Sequence, residues 1–283
     1  MLDDRRESSF QLTADHISQR PTVYLRPGTQ LYANGLSVRF SGFIINARTG
    51  ITVAHGICPG DKIFIDYRGT QLAIGHCCKT FSCLRHSSGH KITADLALLK
   101  LNRDFGPNFP LCMTNTVKYK HGYDERYLSI KIYRETVDGR TDVMIQVSNG
   151  EFRFGYIRGS ATISCRPKLP TNCRCDPQLD DCPCVKYNQW FFDVLKIYQD
   201  GGQNTAMTGP GDSGALVMSR PIPGINYVYV YGIVLGQGTE TTEDGICPYT
   251  VGSQLNDVIT QIQNIERIYE ADEIDFTVYT SFH

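Results

Sequence analysis

The sequence predicts an all-β protein with two β units and one C-terminal helix. From Val23 onward, short runs of Val, Ile, Phe and Tyr alternate with polar residues between glycine turns, which is the pattern of half-buried strands. The stretch 253–270 instead repeats its apolar residues at helical spacing, namely Leu255, Val258, Ile259, Ile262, Ile265 and Ile268. With 283 residues, 41% of them hydrophobic, the chain can bury the core of one large domain or of two packed halves.

The first β unit is predicted over about residues 21–110, after a polar arm at residues 1–20. A strand pair is expected over Gly35–Asn46, and Ile51–Ala54 reads as a strand that ends at His55. Two apolar runs flank Arg68-Gly69-Thr70 and favour a hairpin. Ala94–Leu101 (ADLALLKL) is typical of a buried strand.

The second β unit is predicted over about residues 125–252. A hairpin is expected where Arg126–Glu135 and Thr141–Val147 flank a Gly-containing turn. Later strands are predicted at Glu151–Ile157, Ala161–Cys165, Trp190–Tyr198 and Tyr227–Leu235. The stretch Asn102–Asp124, rich in Pro, Asn, Gly and Lys, is the expected linker between the units, and residues 271–283 form a tail.

Composition excludes several classes of partner. The net charge is −1, with 28 basic and 29 acidic residues, so nothing favours nucleic acid or an anionic membrane surface. The apolar runs are too short to span a bilayer, and the polar N-terminus lacks the apolar stretch of a secretory signal. This favours an intracellular setting, while eleven cysteines are more typical of an oxidising one. The sequence gives no indication of the oligomeric state.

The stretch 208–217 (TGPGDSGALV) is the strongest chemical signal. It is a Gly/Pro loop that leads into an apolar strand, and its glycines permit backbone angles that other residues avoid. We expect the amides of Gly211 and Ser213 to point the same way, as an oxyanion hole requires. The Ser213 hydroxyl would be accessible at the turn, but a serine nucleophile needs a base and an orienting carboxylate.

Two upstream residues are candidates for those roles. His55 follows an apolar strand and precedes a glycine, and histidine suits a base near neutral pH. Asp95 is the one carboxylate within an apolar strand, where burial is costly unless the group is paired. Each has a plainer explanation, because His55 could be a structural histidine at a strand end and Asp95 could cap nearby backbone amides.

Taken together, TVAHG around His55, ADLALLKL around Asp95 and GDSGALV around Ser213 make the chain resemble the chymotrypsin-like serine proteases of the trypsin superfamily, as a divergent member. GIVLG at 232–236 and Pro248-Tyr249-Thr250 extend the resemblance to nearly the whole domain, residues 21–270. It implies two packed antiparallel six-stranded β-barrels with the site in the cleft between them. The implied function is a serine endopeptidase that acts on a peptide or protein through an acyl-enzyme, with no cofactor needed for catalysis.

The resemblance also implies a role for each site residue. His55 would act as general base and acid, Asp95 would orient it, and Ser213 would be the nucleophile. The amides of Gly211 and Ser213 would form the oxyanion hole. Three further residues would line the substrate pocket: Met207, Leu235 and Gln237. Met207 would lie at the base of this pocket. Trypsin-like members carry an aspartate at that base, so we expect an uncharged or hydrophobic residue before the cut bond.

The chain departs from the family in two ways. It has no Arg/Lys-Ile-Val-Gly-Gly activation site, whose cleavage in zymogen members creates an amino terminus that pairs with the aspartate before the nucleophile. That aspartate is Asp212 here, so it needs another partner, and we expect no trypsin-type activation step. The disulfide that braces the histidine loop in the family also lacks a partner for Cys58. The missing disulfide and the unusually long insertion between Asp95 and Ser213 leave open a catalytically silent, protease-like binding module as an alternative.

The remaining cysteines form two clusters. Cys173, Cys175, Cys182 and Cys184 make a CxC…CxC set whose four thiolates could hold a structural zinc; two disulfides or reduced cysteines are equally open. The second cluster is looser and could also bind zinc or form a disulfide beside surface histidines; its members are Cys77, Cys78, Cys83, His86 and His90. A zinc- or redox-responsive regulator on the protease scaffold is therefore a further hypothesis.

Overall fold

Strands dominate the described part of the chain. The computed structural model describes residues 23–43, 49–85, 88–102, 111–135, 137, 139–164, 190–202 and 205–268. Within these residues the strands form two large sheets and one two-stranded sheet, and the α-helix α1 (Leu255–Ile268) follows the last strand. The predicted all-β class with a C-terminal helix is confirmed.

The first sheet forms barrel one and has the spatial order β3-β2-β6-β7-β8-β5-β4. Its strands are β2 (Gln30–Ala33), β3 (Leu36–Arg39), β4 (Gly42–Phe43), β5 (Thr49–Val53), β6 (Lys62–Tyr67), β7 (Thr70–Arg85) and β8 (Lys91–Leu101). Only Phe40 and Ser41 separate β3 from β4, yet β3 pairs with β2 and β4 pairs with β5. The two short strands thus act as one bent strand that closes a six-stranded ring.

The second sheet forms barrel two and has the order β10-β11-β16-β15-β12-β13-β14-β17. Its strands are β10 (Thr116–His121), β11 (Asp124–Ile132), β12 (Thr141–Gln146), β13 (Phe152–Ser164), β14 (Trp190–Gln199), β15 (Leu216–Ser219), β16 (Tyr227–Thr242) and β17 (Gly245–Gln254). An additional pairing of β16 with β17 closes the last six strands of this order into a ring. The pair β10–β11 extends that ring along β16.

Two expectations about the middle of the chain are wrong. The hairpin predicted between Arg126–Glu135 and Thr141–Val147 does not form, because β11 pairs with β10 and, in parallel, with β16. Strands β16 and β15 separate β11 from β12 in the sheet. The predicted linker at 102–124 also contains strand β10 and the short strand β9 (Leu111–Met113), which pairs with β1 (Val23–Leu25).

The core consists of two apolar clusters, and strand β12 contributes to both. Val143 and Ile145 belong to a cluster with Met207, whereas Met144 between them belongs to a cluster that extends through barrel one. Because side chains alternate across a strand, β12 is buried on both faces. Helix α1 adds Leu255 and other apolar residues to the larger cluster, which is the amphipathic packing that its spacing predicts. No helix in the described ranges has the length and apolar character needed to cross a membrane.

Candidate active site

Asp95, which is buried, and His55, which is partly exposed, form a pair at one end of barrel one. His55 lies two residues beyond β5, and Asp95 lies within β8, the antiparallel neighbour of β5. The His55 Nδ1 atom and the Asp95 Oδ2 atom are 2.6 Å apart. The other carboxylate oxygen accepts hydrogen bonds from the backbone amides of His55 at 2.8 Å and Ala54 at 3.1 Å. Three donors thus surround a side chain that is 1% exposed, and they offset the cost of burying its charge.

The local backbone at Asp95 is unusual and supports this arrangement. Asp95 has a φ of 45°, in the left-handed region that few non-glycine residues adopt. Its carbonyl oxygen accepts a hydrogen bond of 2.9 Å from the Ala54 amide. A conformation of this kind persists only when its surroundings hold it, and such positions cluster at functional sites.

The charge of Asp95 changes the acid–base behaviour of His55. Burial disfavours the imidazolium, but the Coulombic attraction of Asp95 and the hydrogen bond that His55 donates to it outweigh this effect, so the pKa of His55 is raised above its ordinary value. About a third of the His55 side chain, 35%, is still exposed. Because Nδ1 faces Asp95, the Nε2 atom lies on the opposite side of the ring, where a base would have to meet its substrate.

The loop that carries Ser213 is a tight double turn. The Asp212 amide donates to the Gly209 carbonyl at 3.2 Å, and the Ala215 amide donates to the Asp212 carbonyl at 2.9 Å. Gly211 and Gly214 have φ values of 85° and 92°, which explains why glycines flank this serine. Gly211 and Ser213 lie outside the strands and helices. Among the backbone hydrogen bonds that the described residues form outside those elements, none has the Gly211 amide or the Ser213 amide as its donor.

Two hydrogen bonds attach the Ser213 loop to barrel one. The Arg39 amide donates to the Ser213 carbonyl at 2.7 Å, and the Ser41 hydroxyl donates to the Gly214 carbonyl at 2.7 Å. A Cβ atom on Gly214 would lie 2.2 Å from the Arg39 carbonyl oxygen and 3.0 Å from Thr52 Oγ1. Since Thr52 lies three residues before His55, the loop from barrel two packs onto the strand that leads to the His55–Asp95 pair.

The predicted pocket residues lie on the elements that border Ser213. The Ser213 hydroxyl donates to the Leu235 carbonyl at 3.3 Å, and Leu235 lies at a register shift in β16. Two positions further along β16, the Gln237 side-chain amide donates to the Thr208 carbonyl. Met207 is fully buried in the apolar cluster with Val143, and its carbonyl accepts a bond of 3.0 Å from Arg153 Nη1.

The cysteine clusters remain predictions. Cys173, Cys175, Cys182 and Cys184 lie outside the described residues, as does His86. In the other cluster, Cys77 is buried whereas Cys78 and Cys83 are exposed, and burial raises the pKa of the Cys77 thiol to about 12. The described residues contain no group of three or more His, Cys, Asp or Glu side chains placed to hold a metal ion.

Sequence reasoning missed two residues next to the site. Arg39 contacts the nucleophile loop through its backbone, and Thr208 receives the Gln237 side chain. A signal for Arg39 was present, because it lies between the apolar residues Val38 and Phe40 and is only 6% exposed. A charged residue in such a position needs a partner, as Asp95 does.

Comparison with known proteins gives likenesses at the level of structure. No protein-family model matches the chain, and no curated protein matches it. Among solved structures it is similar to a glutamic-acid-specific serine protease, at 12% identity and a TM-score of 0.49, covering 83% of this chain and 96% of that one. It is also similar to a Nocardiopsis protease, NAPase, at 15% identity, a TM-score of 0.49 and coverage of 84% and 96%.

A third similar structure is Cellulomonas bogoriensis chymotrypsin, at 13% identity, a TM-score of 0.47 and coverage of 84% and 94%. At scores this low the likenesses add nothing to the assignment of function. The two closed barrels and the terminal helix themselves give the chain a chymotrypsin-like fold. Its divergence from the proteins of that fold is large.

Proposed function

We propose that the protein is a serine endopeptidase whose catalytic residues are His55, Asp95 and Ser213. The observation that carries the proposal is the 2.6 Å contact between His55 Nδ1 and the carboxylate of Asp95, which is buried. A buried carboxylate on Nδ1 orients the imidazole and stabilises its protonated form. Gly214, which follows Ser213, packs against Thr52, and Thr52 lies three residues before His55 in the chain. This packing supports Ser213 as the nucleophile.

The reaction proposed is acyl transfer in two steps. His55 Nε2 takes the proton of the Ser213 hydroxyl as its oxygen attacks the peptide carbonyl, and the Gly211 and Ser213 amides donate to the oxyanion. His55 then gives the proton to the departing amine, which leaves an ester on Ser213. Water attacks that ester with His55 again as base and releases the acid. No cofactor takes part, and a structural zinc on Cys173, Cys175, Cys182 and Cys184 is a separate prediction, tested by metal analysis with and without thiol reductant.

The proposed substrate is a peptide or protein with an uncharged side chain before the cut bond. Met207, at the predicted base of the pocket, brings no charge to bind Arg or Lys. The Gln237 side chain reaches from β16 to the Thr208 carbonyl, and so spans the two segments that the resemblance assigns to the pocket walls. This contact supports a shallow pocket that favours small residues over large aromatic ones.

The decisive experiment is labelling with a fluorophosphonate probe, which phosphonylates an activated serine and releases fluoride. Wild-type protein should be labelled at Ser213, and Ser213→Ala should remove the label while the protein stays folded. The matched control is Ser148→Ala, in an exposed turn, which should label at the wild-type rate. Folded wild-type protein that takes up no label would contradict the proposal.

One contact favours a second candidate, a catalytically silent binding module. The Ser213 hydroxyl donates to the Leu235 carbonyl, so its proton is directed toward β16 in this conformation. An active enzyme must rotate this hydroxyl toward His55 when substrate binds. The same labelling experiment separates the two candidates, because a silent module binds peptide without reacting with the probe.

A further inference from the structure

One face of the sheet formed by β10, β11 and the start of β16 carries aromatic and cationic side chains together. Burial alternates residue by residue along these three segments, so every second side chain points to solvent. The register places Lys118 opposite Tyr127 and Lys131 beside Tyr229. We name this surface the tyrosine face. Its aromatic and basic strand residues are Tyr127, Tyr227, Tyr229, Lys118, Lys120 and Lys131.

The rings on the tyrosine face form a continuous series. The ring centroids of Tyr227 and Tyr229, which alternate along β16, are 5.5 Å apart. Tyr133, directly after β11, has its ring 5.7 Å from that of Tyr229 and 4.9 Å from that of Tyr231. Tyr229 is 37% exposed and Tyr127 is 56% exposed. Contiguous aromatic surface that stays open to solvent marks an interaction site.

Cations lie directly against these rings. The Arg26 guanidinium is 4.9 Å from the ring centroid of Tyr24 and 5.4 Å from that of Tyr127. Lys131 Nζ is 3.6 Å from the ring centroid of Tyr227. These are cation–π contacts, and they keep positive charge at the edge of an aromatic surface. A ligand that stacks on a ring of this face therefore meets a cation beside it.

Positive charge exceeds negative charge on the tyrosine face. Among its described strand residues Glu125 is the one carboxylate, and it lies 2.6 Å from Lys118 Nζ and 3.9 Å from Lys120 Nζ. One carboxylate thus serves two lysines. Beyond the end of β11, Glu135 accepts a hydrogen bond of 3.1 Å from the Tyr133 hydroxyl.

The excess of positive charge is local. The net charge of the whole chain is −1, and for that reason composition alone did not favour a nucleic-acid partner. A net charge averages over the surface, whereas the potential that a ligand meets depends on how the charges cluster. Arg26 and Lys131 add two further cations to the face, and both contact tyrosine rings.

We propose that the tyrosine face binds single-stranded nucleic acid, with bases stacked on the exposed rings and phosphates bound by the lysines and Arg26. A positively charged surface with interleaved aromatic rings suits this ligand, because single strands offer both free base faces and phosphates. An acidic peptide would use the cations but not the rings, and a neutral glycan would use the rings but not the cations. A duplex would present mainly phosphates, because its bases stack on one another.

The proposal goes beyond the proposed peptidase function and does not depend on it. The tyrosine face uses the start of β16, several residues before Leu235, and includes none of the proposed catalytic residues. Binding is therefore measured with the full chain in two forms, wild type and Ser213→Ala, which should bind equally.

Fluorescence anisotropy with labelled oligo(U) and oligo(dT) of about 20 nucleotides tests the proposal, since site sizes of this kind are smaller than that. At about 50 mM salt the wild type should bind with a Kd below roughly 100 μM. A duplex of the same length should bind at least fivefold more weakly. Tighter binding of oligo(U) or of oligo(dT) would identify RNA or DNA as the preferred strand, and equal binding would support single strands of either kind.

Two variants test the roles of ring and charge. Tyr229→Ala should raise the Kd at least fivefold, near the low end of what stacking one base contributes. Lys131→Gln should also raise the Kd and should reduce the slope of log K against log salt by about 0.7, as expected for one phosphate contact. The matched controls are Tyr67→Ala and Arg68→Gln, from a cation–π pair with a separation of 5.4 Å in barrel one, and both should bind like wild type.

Several results would overturn the proposal. They are folded wild-type protein that binds no oligonucleotide, a duplex that binds as tightly as a single strand, and an unchanged Kd in both Tyr229→Ala and Lys131→Gln. The outcome is separate from that of the peptidase test. Single-strand binding by a protein that no fluorophosphonate labels would support the tyrosine face and reject the peptidase function.

Discussion

At the scale of single residues, the pairing of His55 with Asp95 fixes the pH at which the proposed base becomes available. The pKa of His55 is raised above its ordinary value by the carboxylate, and below that pKa the imidazole is protonated and cannot accept a proton. We expect kcat/KM to rise with pH through a limb above roughly 6.5. Asp95→Asn should move the limb to lower pH and reduce kcat by roughly 10⁴-fold.

The pH profile on a peptide substrate checks this prediction, with His121→Gln as its control. His121 is exposed at the end of β10 and makes an edge-to-face contact with Phe154, so its loss should leave the limb in place. A limb that stays at the same pH in Asp95→Asn would show that another group titrates there.

Single residues also differ in how far the sequence alone predicts their place in the site. His55 and Asp95 could be singled out because each is a polar residue in an apolar setting, and the structure pairs them. Arg39 carries the same signal, but the Ser213 carbonyl that its backbone amide binds belongs to the other barrel. Local sequence shows that a buried charged residue needs a particular environment, whereas only the packing of the barrels shows which residues surround it.

At the scale of elements, strand β16 determines the shape of the predicted pocket. Gln237 bridges from this strand to Thr208, so Gln237→Gly should open the slot. We expect kcat/KM for a substrate with Phe before the cut to rise at least tenfold relative to one with Ala, within the range that one to a few methylenes are worth in a pocket. Profiling on a peptide library measures this ratio.

The control for this prediction is Thr241→Ala, an exposed position further along β16. An unchanged order of preference in Gln237→Gly would mean that Gln237 does not limit the pocket. A dominant preference for Arg or Lys in the wild type would instead contradict the assignment of Met207 to the pocket base.

Strand identity was easier to predict than strand pairing. The alternation of apolar and polar residues marks β11 and β12 well, but the glycine turn between them resembles a hairpin turn. The chain instead carries β11 to a parallel pairing with β16, about a hundred residues away. Because period-2 patterning specifies which face of a strand is buried and not its neighbour, the hairpin was wrong although its strands were right.

At the scale of the whole molecule, the candidate site exists only where the two barrels meet. Barrel one contributes the His55–Asp95 pair and barrel two contributes Ser213. The junction is close, because any side chain on Gly214 would collide with the Arg39 carbonyl. Activity should therefore be sensitive to changes that touch neither catalytic side chain, provided that they alter this junction.

Ser41→Ala is the sharpest such change. Ser41 is fully buried, and its hydroxyl binds the Gly214 carbonyl across the junction. Removing it leaves that carbonyl without this donor, which should lower the free energy of unfolding by about 1–3 kcal/mol. Urea unfolding followed by tryptophan fluorescence measures the loss, and slower fluorophosphonate labelling should accompany it because the Ser213 loop is less firmly held. Ser148→Ala should change neither quantity, and a Ser41→Ala variant that matches it would show that the junction does not depend on this bond.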